Sequence, residues 1–326
     1  MSTRYSILQV LQDGRFHSGE ALGRRLGVSR AAIWKAVQSA GQLGIRIDAV
    51  SGRGYRLAEP LELLDRGRIV GALSPRSAAL LDRLHLFDVV DSTNSYLMEC
   101  AARGAGSGTV CLAESQRAGR GRRGRSWVSP YASNLYLSVL FRFAAGPQAV
   151  QGLSLALGVV VVAALQRLGI EGVQLKWPND LVAQGAKLGG VLIEMAGEAG
   201  GPCHVVAGIG LNVCMPERAA LAIDQAWIDL QHLAGAAQPS RNALAGAVLD
   251  LLLPALADYE VHGFAPYRER WRSLDALNGK PVTVHSPLGE VSGTGAGIDE
   301  SGALRLRLGD SVQTFAAGEV TLRGAV

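Results

Sequence analysis

Apolar positions recur at three- and four-residue spacing in three short runs near the start of the chain, which is the period of an amphipathic helix. The first runs from Thr3, read as its cap, to about Leu11. Ser18 caps the second, "GEALGRRLG", which gathers Ala21, Leu22 and Leu26 on one face. After a tight turn at Gly27 and Val28, Ser29 caps the third, "RAAIWKAVQSAGQLG". There Ile33, Val37 and Ala40 point inward, while Arg30, Ala31, Trp34 and Lys35 point outward. The period then falls to two in "IRIDAV" and "YRLA", joined by "SGRG", which predicts a hairpin with Arg53 at its tip. Three helices and a hairpin make a winged helix-turn-helix, with Ser29, Arg30, Ala31, Trp34, Lys35 and Arg53 as candidate DNA contacts. A small helical domain used for protein contact is the alternative, but turn, caps and wing together favour DNA.

Beyond Pro60, which breaks the wing strand and where a new helix is expected, the pattern changes and a domain boundary falls near residues 59–64. Residues 63–276 alternate strands and helices: "LHLFDVV", then a helix after "DSTN", then "TVCLAESQ", "LYLSVLFRF", "VQLKWPND", "KLGGVLIE" and "HVVAGIGLNV". The apolar run Leu153–Leu165 falls short of the ~18 residues of a membrane span and reads as a buried helix. The stretch "SRNALAGAVLDLLLPALADYEVHGFAPYRERW" reads as helices covering the sheet. Residues 277–326 break into short β runs punctuated by Gly, Pro and Asp, which predicts a small five- or six-stranded barrel. The whole is α+β.

Composition narrows the class. With 48% hydrophobic and 18% charged residues, the chain is expected to fold and to be soluble. Its four cysteines show neither a CxxC pair nor metal-ligand spacing, so reduced thiols are expected. The N-terminus lacks the apolar core of a signal peptide, and a cytoplasmic protein without a membrane partner is expected. Charge is uneven. Residues 1–59 carry nine Lys or Arg against four Asp or Glu, a balance of +5, whereas the whole chain carries only +4. The excess favours DNA over protein contact for the first domain.

The candidate chemistry centres on "GRGRRGRSW", Gly119–Trp127. Its glycines satisfy GxGxxG by letter, but that fingerprint must open an apolar helix, and here Trp127 and Pro130 follow. No GxxxxGK[ST] occurs. Five arginines between Arg117 and Arg125 repel one another, so the loop is expected to be mobile until an anion gathers it. Guanidinium forks select phosphate or carboxylate, and an RNA strand competes with a small anion on this loop alone. Asp91, Ser92, Thr93 and Asn94 place hydroxyls and free N–H groups at one helix start, fit for a polar headgroup or for simple capping. Only four of the 32 basic residues are lysine, and two of these, Lys176 and Lys187, fall in compact polar motifs. Asn179 and Asp180 occupy a turn where an amide and a carboxylate can hold a nucleotide or hydrated Mg²⁺.

In order and separation, "DSTN", "GRGRRGRSW", "KWPND", "KLGG" and "GIGLNV" resemble the bacterial family of bifunctional biotin protein ligases and biotin operon repressors, over essentially the full length. The resemblance implies a central class II synthetase-like mixed sheet and an SH3-like C-terminal domain. It implies formation of biotinyl-adenylate from biotin and ATP with Mg²⁺, then transfer to a lysine of the biotin carboxyl carrier protein of acetyl-CoA carboxylase. Operator DNA and an adenylate-bound homodimer are the other implied partners. By matching position, Ser92, Thr93, Asn94 and Gln116 line the biotin pocket, and Arg120, Gly121 and Arg122 come from the loop that orders over it. Lys187 meets the carboxylate and then the phosphate, so Lys187, Arg120 and Arg122 are the candidate catalytic residues. Trp127, Lys176, Asn179, Asp180 and Asn212 fall on the nucleotide side, with Asp180 a candidate Mg²⁺ ligand. A biotin-sensing repressor without catalysis, or a lipoate-type ligase, remain alternatives. One departure stands out: the family has glycine where this chain has Ala132.

Overall fold

The structure, a computed structural model, describes residues 2–197, 201–286, 289–316 and 321–324. Its first segment contains α1 (Thr3–Leu11), α2 (Gly19–Leu26) and α3 (Arg30–Gln42). Each is capped by a serine hydroxyl that accepts the N–H three residues on: Ser2 from Tyr5, Ser18 from Ala21, Ser29 from Ala32. The first cap is therefore Ser2 and not Thr3. Ser2 has extended backbone angles, which bring its oxygen under the Tyr5 amide and make Thr3 the first helical residue. Leu8, Leu11, Leu22, Ile33 and Ala40 are buried together beneath an antiparallel hairpin of β1 (Ile47–Val50) and β2 (Gly54–Leu57).

No helix follows Pro60 directly. Residues 58–65 form no helix or strand, and α4 (Arg66–Gly71) begins only after Asp65 caps it. The reason is that the linker's own polar groups are claimed elsewhere. Leu64 N donates to Glu114 at 2.6 Å, Arg241 donates to the Glu62 carbonyl at 2.9 Å, and Asn242 donates to the Leu63 carbonyl at 2.9 Å. Arg241 also pairs with Glu114 at 2.8 Å, and the two side chains are 5% and 0% exposed. Burial pushes the Glu114 carboxyl up, and the Arg241 guanidinium opposes it. Removing one partner of such a buried pair strands the other, at a cost of about 3–5 kcal/mol. The linker is thus anchored into the second domain.

Seven strands build the central sheet: β3 (Arg83–Phe87), β4 (Thr109–Ala113), β5 (Leu135–Phe143), β6 (Gln174–Lys176), β7 (Asp180–Ala183), β8 (Ala186–Gly197) and β9 (Cys203–Leu211). Their order is β3-β4-β5-β9-β8-β7-β6. The short α5 (Pro75–Leu80) leads into β3; β3 and β4 are parallel, joined through α6 (Thr93–Ala102), and the other neighbours are antiparallel. The two-residue period of strands divides the core. Val110, Leu112, Leu137 and Val139 face α7 (Leu153–Arg167) and α10 (Arg241–His262), while Cys111, Leu140 and Val206 face α6. α7 is long and apolar enough, with the turn before it, to cross a membrane, but it is largely buried in this core. The remaining helices α8 (Glu217–Ala220), α9 (Leu230–Ala234) and α11 (Arg268–Leu274) are short.

The C-terminal part is one antiparallel sheet of β10 (Pro281–Ser286), β11 (Gly289–Ile298), β12 (Leu304–Leu308), β13 (Ser311–Phe315) and β14 (Thr321–Gly324), in the order β13-β12-β11-β10-β14. Trp177, buried on the central domain, donates its indole N–H to the Gly302 carbonyl at 3.0 Å and ties this sheet to the turn before Asn179.

Candidate active site

Ser92 caps α6, so Thr93 and Asn94 occupy its first turn and project onto the α6 face of the sheet. All three are buried. Thr93 donates its backbone N–H to Gln116 Oε1 at 2.9 Å, and its hydroxyl lies 3.2 Å from the same oxygen. Gln116 Nε2 donates onward to Ser129 Oγ at 3.0 Å. Between Thr93 and Asn94 sits Ser138 of β5, fully buried, with its hydroxyl 2.7 Å from Thr93 Oγ1 and 2.6 Å from Asn94 Oδ1. The amide oxygen can only accept, so Ser138 gives its single proton to Asn94. Thr93, Asn94 and Gln116 therefore stand together beside the Ser92 cap, joined by a hydroxyl that sequence reading did not identify.

The arginine loop adopts a defined turn in the structure. Gly121 N donates to the Arg125 carbonyl at 2.7 Å, and Trp127 N to the Gly119 carbonyl at 2.9 Å. Arg123 and Gly124 take left-handed backbone angles, with φ of 56° and 74°, to close the tip. Repulsion is relieved by carboxylates from outside the loop: Arg117 pairs with Asp91 at 3.1 Å and Arg120 with Glu194 at 2.9 Å. Those partners lie in other elements, beyond what a count of charge within the loop registers. Burial, reinforced by neighbouring Arg123, pulls the Arg122 guanidinium below its usual range, and Asp180 opposes the shift.

Lys187 stands at the start of β8, its ammonium 2.7 Å from Asp180 and 5.7 Å from the centre of the Trp127 ring. The register opposes Asp180 to Lys176 on β6 and to Gly190 on β8. Trp127 packs so closely on β9 that a side chain at Gly210 would meet its ring at 2.7 Å, so only glycine fits there. Its indole N–H is buried without a hydrogen-bond partner among the described residues. Trp127, Lys187 and Asn212 line one pocket, closed on its far side by residues 222–227, with Trp227 running beside Lys187 as a parallel bridge. Lys176, Asn179 and Asp180 are not among the lining residues of that pocket.

Both asparagines have structural employment. Asn179 donates to the Val191 carbonyl at 2.9 Å, clasping the turn to β8. Asn212 donates to the carbonyls of Lys187 and Ile228 at 3.3 and 3.1 Å, holding the pocket's far wall against the Lys187 strand. No group of three or more metal-ligating side chains occurs among the described residues. Asp180 is one carboxylate already paired with Lys187, which suits an ion held mostly by phosphate oxygens and water.

In the first domain Arg30, Ala31, Trp34 and Lys35 are exposed on α3, behind the Ser29 cap. Arg53, also exposed, stacks over Phe16 with 4.2 Å between guanidinium carbon and ring centre, and Arg56 lies on the same ring at 4.7 Å. Sequence reading also missed Asp88, which receives Arg4 at 2.6 Å and the Tyr131 hydroxyl at 2.6 Å where the two domains meet. Ala132, next along, takes φ 52°, the left-handed conformation that a glycine would adopt without strain.

Comparison with known proteins matches three families along the chain. Residues 3–56 match the HTH domain family, residues 86–212 the Biotin/lipoate A/B protein ligase family, and residues 278–323 the Biotin protein ligase C terminal domain. The chain is 42% identical over 319 residues to the bifunctional ligase/repressor BirA of Escherichia coli, covering 98% of this chain and 97% of that one. It is 30% identical to the protein of the same name from Bacillus subtilis, over 94% of each. Among solved structures, the biotin protein ligase from Aquifex aeolicus in complex with biotin and ATP superposes with a TM-score of 0.64 at 27% identity, covering 75% of this chain and all of that one.

Proposed function

The chain belongs to the family of bifunctional biotin ligase/repressors, and we propose how its residues divide the two tasks. It is an ATP-dependent ligase that activates biotin and passes it to a lysine of a biotin carrier protein, and a DNA-binding repressor. In the first step a biotin carboxylate oxygen attacks the α-phosphorus of ATP, the bond to the bridging oxygen breaks and pyrophosphate leaves. In the second, the lysine amine attacks the acyl carbon, loses a proton and expels AMP.

Both reactants of the first step are anions, so the chief requirement is fixed positive charge where they meet. Lys187, with Asp180 at 2.7 Å and Trp127 beside it, supplies a positioned ammonium, and Arg122 adds a partly buried guanidinium. Ser92, Thr93, Asn94 and Gln116 offer the neutral donors and acceptors that a ureido headgroup needs, and Arg120 and the Gly121 backbone close over it. Trp127 presents its ring, beside the Lys187 ammonium, to the nucleotide. Asn179 and Asn212 hold the turn and the wall of that pocket, and Lys176 flanks Asp180. Mg²⁺ would sit on Asp180 and phosphate oxygens, neutralising phosphate charge. Excluding water behind the 222–227 segment protects the mixed anhydride. Ser29, Arg30, Ala31, Trp34, Lys35 and Arg53 face operator DNA, and two adenylate-loaded copies form the repressing dimer.

The Lys187–Asp180–Trp127 grouping carries the ligase assignment. Purified protein with Mg-ATP is expected to exchange labelled pyrophosphate into ATP when biotin is added. Exchange with lipoate alone would overturn the biotin reading.

A further inference from the structure

Glu194 of β8 is a charged residue that neither activity calls for by itself, yet it touches both halves of the biotin site. Its Oε2 accepts from Asn94 Nδ2 at 2.8 Å and from Arg120 Nη2 at 2.9 Å. Pairing in the sheet sets Glu194 opposite Val206, on the α6 face that also carries Ser138. Asn94 is pressed so closely onto that face that a side chain at Gly208 would collide with its amide oxygen. The amide is thus gripped at both ends, its oxygen by Ser138 and its nitrogen by Glu194. An ionised carboxylate can only accept, which sets the NH₂ toward Glu194 and would put the oxygen of a flipped amide against that carboxylate.

We propose that Glu194 is a positioning residue for biotin: it fixes the orientation of the Asn94 amide in the headgroup pocket and tethers the arginine loop through Arg120. This inference rests on the ligase reading above. One carboxylate oxygen joins the fixed floor of the pocket to its movable cover, so headgroup recognition and loop closure share a single anchor. Charge-assisted hydrogen bonds of this kind are the strong ones, and the Glu194 side chain is only 25% exposed.

Glu194→Gln tests the charge without opening a cavity, because the two side chains have the same shape. Two readouts are taken: the KM for biotin against kcat in pyrophosphate exchange, and the rate at which trypsin cuts after Arg122, Arg123 or Arg125 with no biotin present. We expect the biotin KM to rise about tenfold, more than kcat falls, and loop cleavage to quicken by a similar factor, which is the scale of one lost charge-assisted hydrogen bond. Glu194→Ala should exceed Glu194→Gln in both. A Glu194→Gln protein with either readout at the wild-type value overturns the proposal. The proteolysis arm needs no substrate, so a wild-type protein that fails to exchange with biotin defeats the ligase reading alone, while the tether is still judged by its cleavage rate.

Discussion

Two regions of this molecule are rich in arginine, and they treat their charge in opposite ways. Along the loop Gly119–Trp127 and just before it, Arg117 and Arg120 are met by carboxylates from other elements, Asp91 and Glu194, and Arg122 is partly withdrawn from water, while Arg123 and Arg125 form the exposed tip. On α3 and the wing, Arg30, Lys35 and Arg53 stand in solvent, and Arg53 is braced by the ring of Phe16. The difference follows from the partner. A small anion must be enclosed and desolvated, so the charges awaiting it need internal counterions to stay folded. A polyanion brings its own field and releases counterions on binding, so charges that meet it are best left exposed.

The sharpest way to break that contrast is Lys187→Ala. Pyrophosphate exchange is expected to fall about 10²–10³-fold, the usual scale for removing one preorganised group that meets developing charge. Binding of the first domain to a single operator half-site, followed by gel shift, should survive, because its exposed cations are untouched. Exchange at the wild-type rate would mean that the loop arginines alone carry the phosphate charge, and would remove Lys187 from its assigned place.

Next in size is the exposed region. With Arg30→Ala and Lys35→Ala combined, operator affinity should drop, and the slope of log affinity against log salt should flatten by about 0.9 for each phosphate that the protein no longer neutralises. The biotin KM of the unaltered protein should barely respond over the same salt range, because partly buried pairs are screened much less than exposed ones. Measuring both slopes on one preparation compares the two regions directly. Equal slopes would show that the loop meets its anion in open water, and the contrast between enclosed and exposed charge would fail.

Much of this organisation was legible in the chain. Serine caps before apolar runs located α2 and α3, alternation located the wing and the sheet strands, and the spacing of Ser92, Thr93 and Asn94 after a strand anticipated a polar helix start. What escaped was anything whose cause lies far away in sequence. Ser138 is a serine within an otherwise apolar strand, and its meaning comes from α6, 45 residues earlier. Glu194 meets Asn94 across 100 residues and Arg120 across 74. The linker at residues 58–65 reads locally as a helix start, but Glu114 and Arg241, from β4's end and α10, hold it otherwise. Local pattern reports propensity and period; ion pairs between elements are fixed only by the register of the sheet.

The smallest expected effect concerns the point where the two regions meet. Ala132 packs against the core of the first domain with Tyr131, a few residues beyond the arginine loop, and its amide donates to the Glu114 carbonyl at 2.9 Å. Its φ of 52° costs an L-residue about 1–2 kcal/mol, a strain that Ala132→Gly would relieve. Against that, glycine gives up a buried methyl, about 0.8 kcal/mol, and adds unfolded-state freedom worth about 0.4–1 kcal/mol. The terms nearly cancel, so thermal unfolding should shift by no more than about 4 °C, with operator affinity and biotin KM both unchanged. If Ala132→Gly instead moves both of those together, the turn transmits between the domains. The exposed and the enclosed charges would then have to be treated as one linked system.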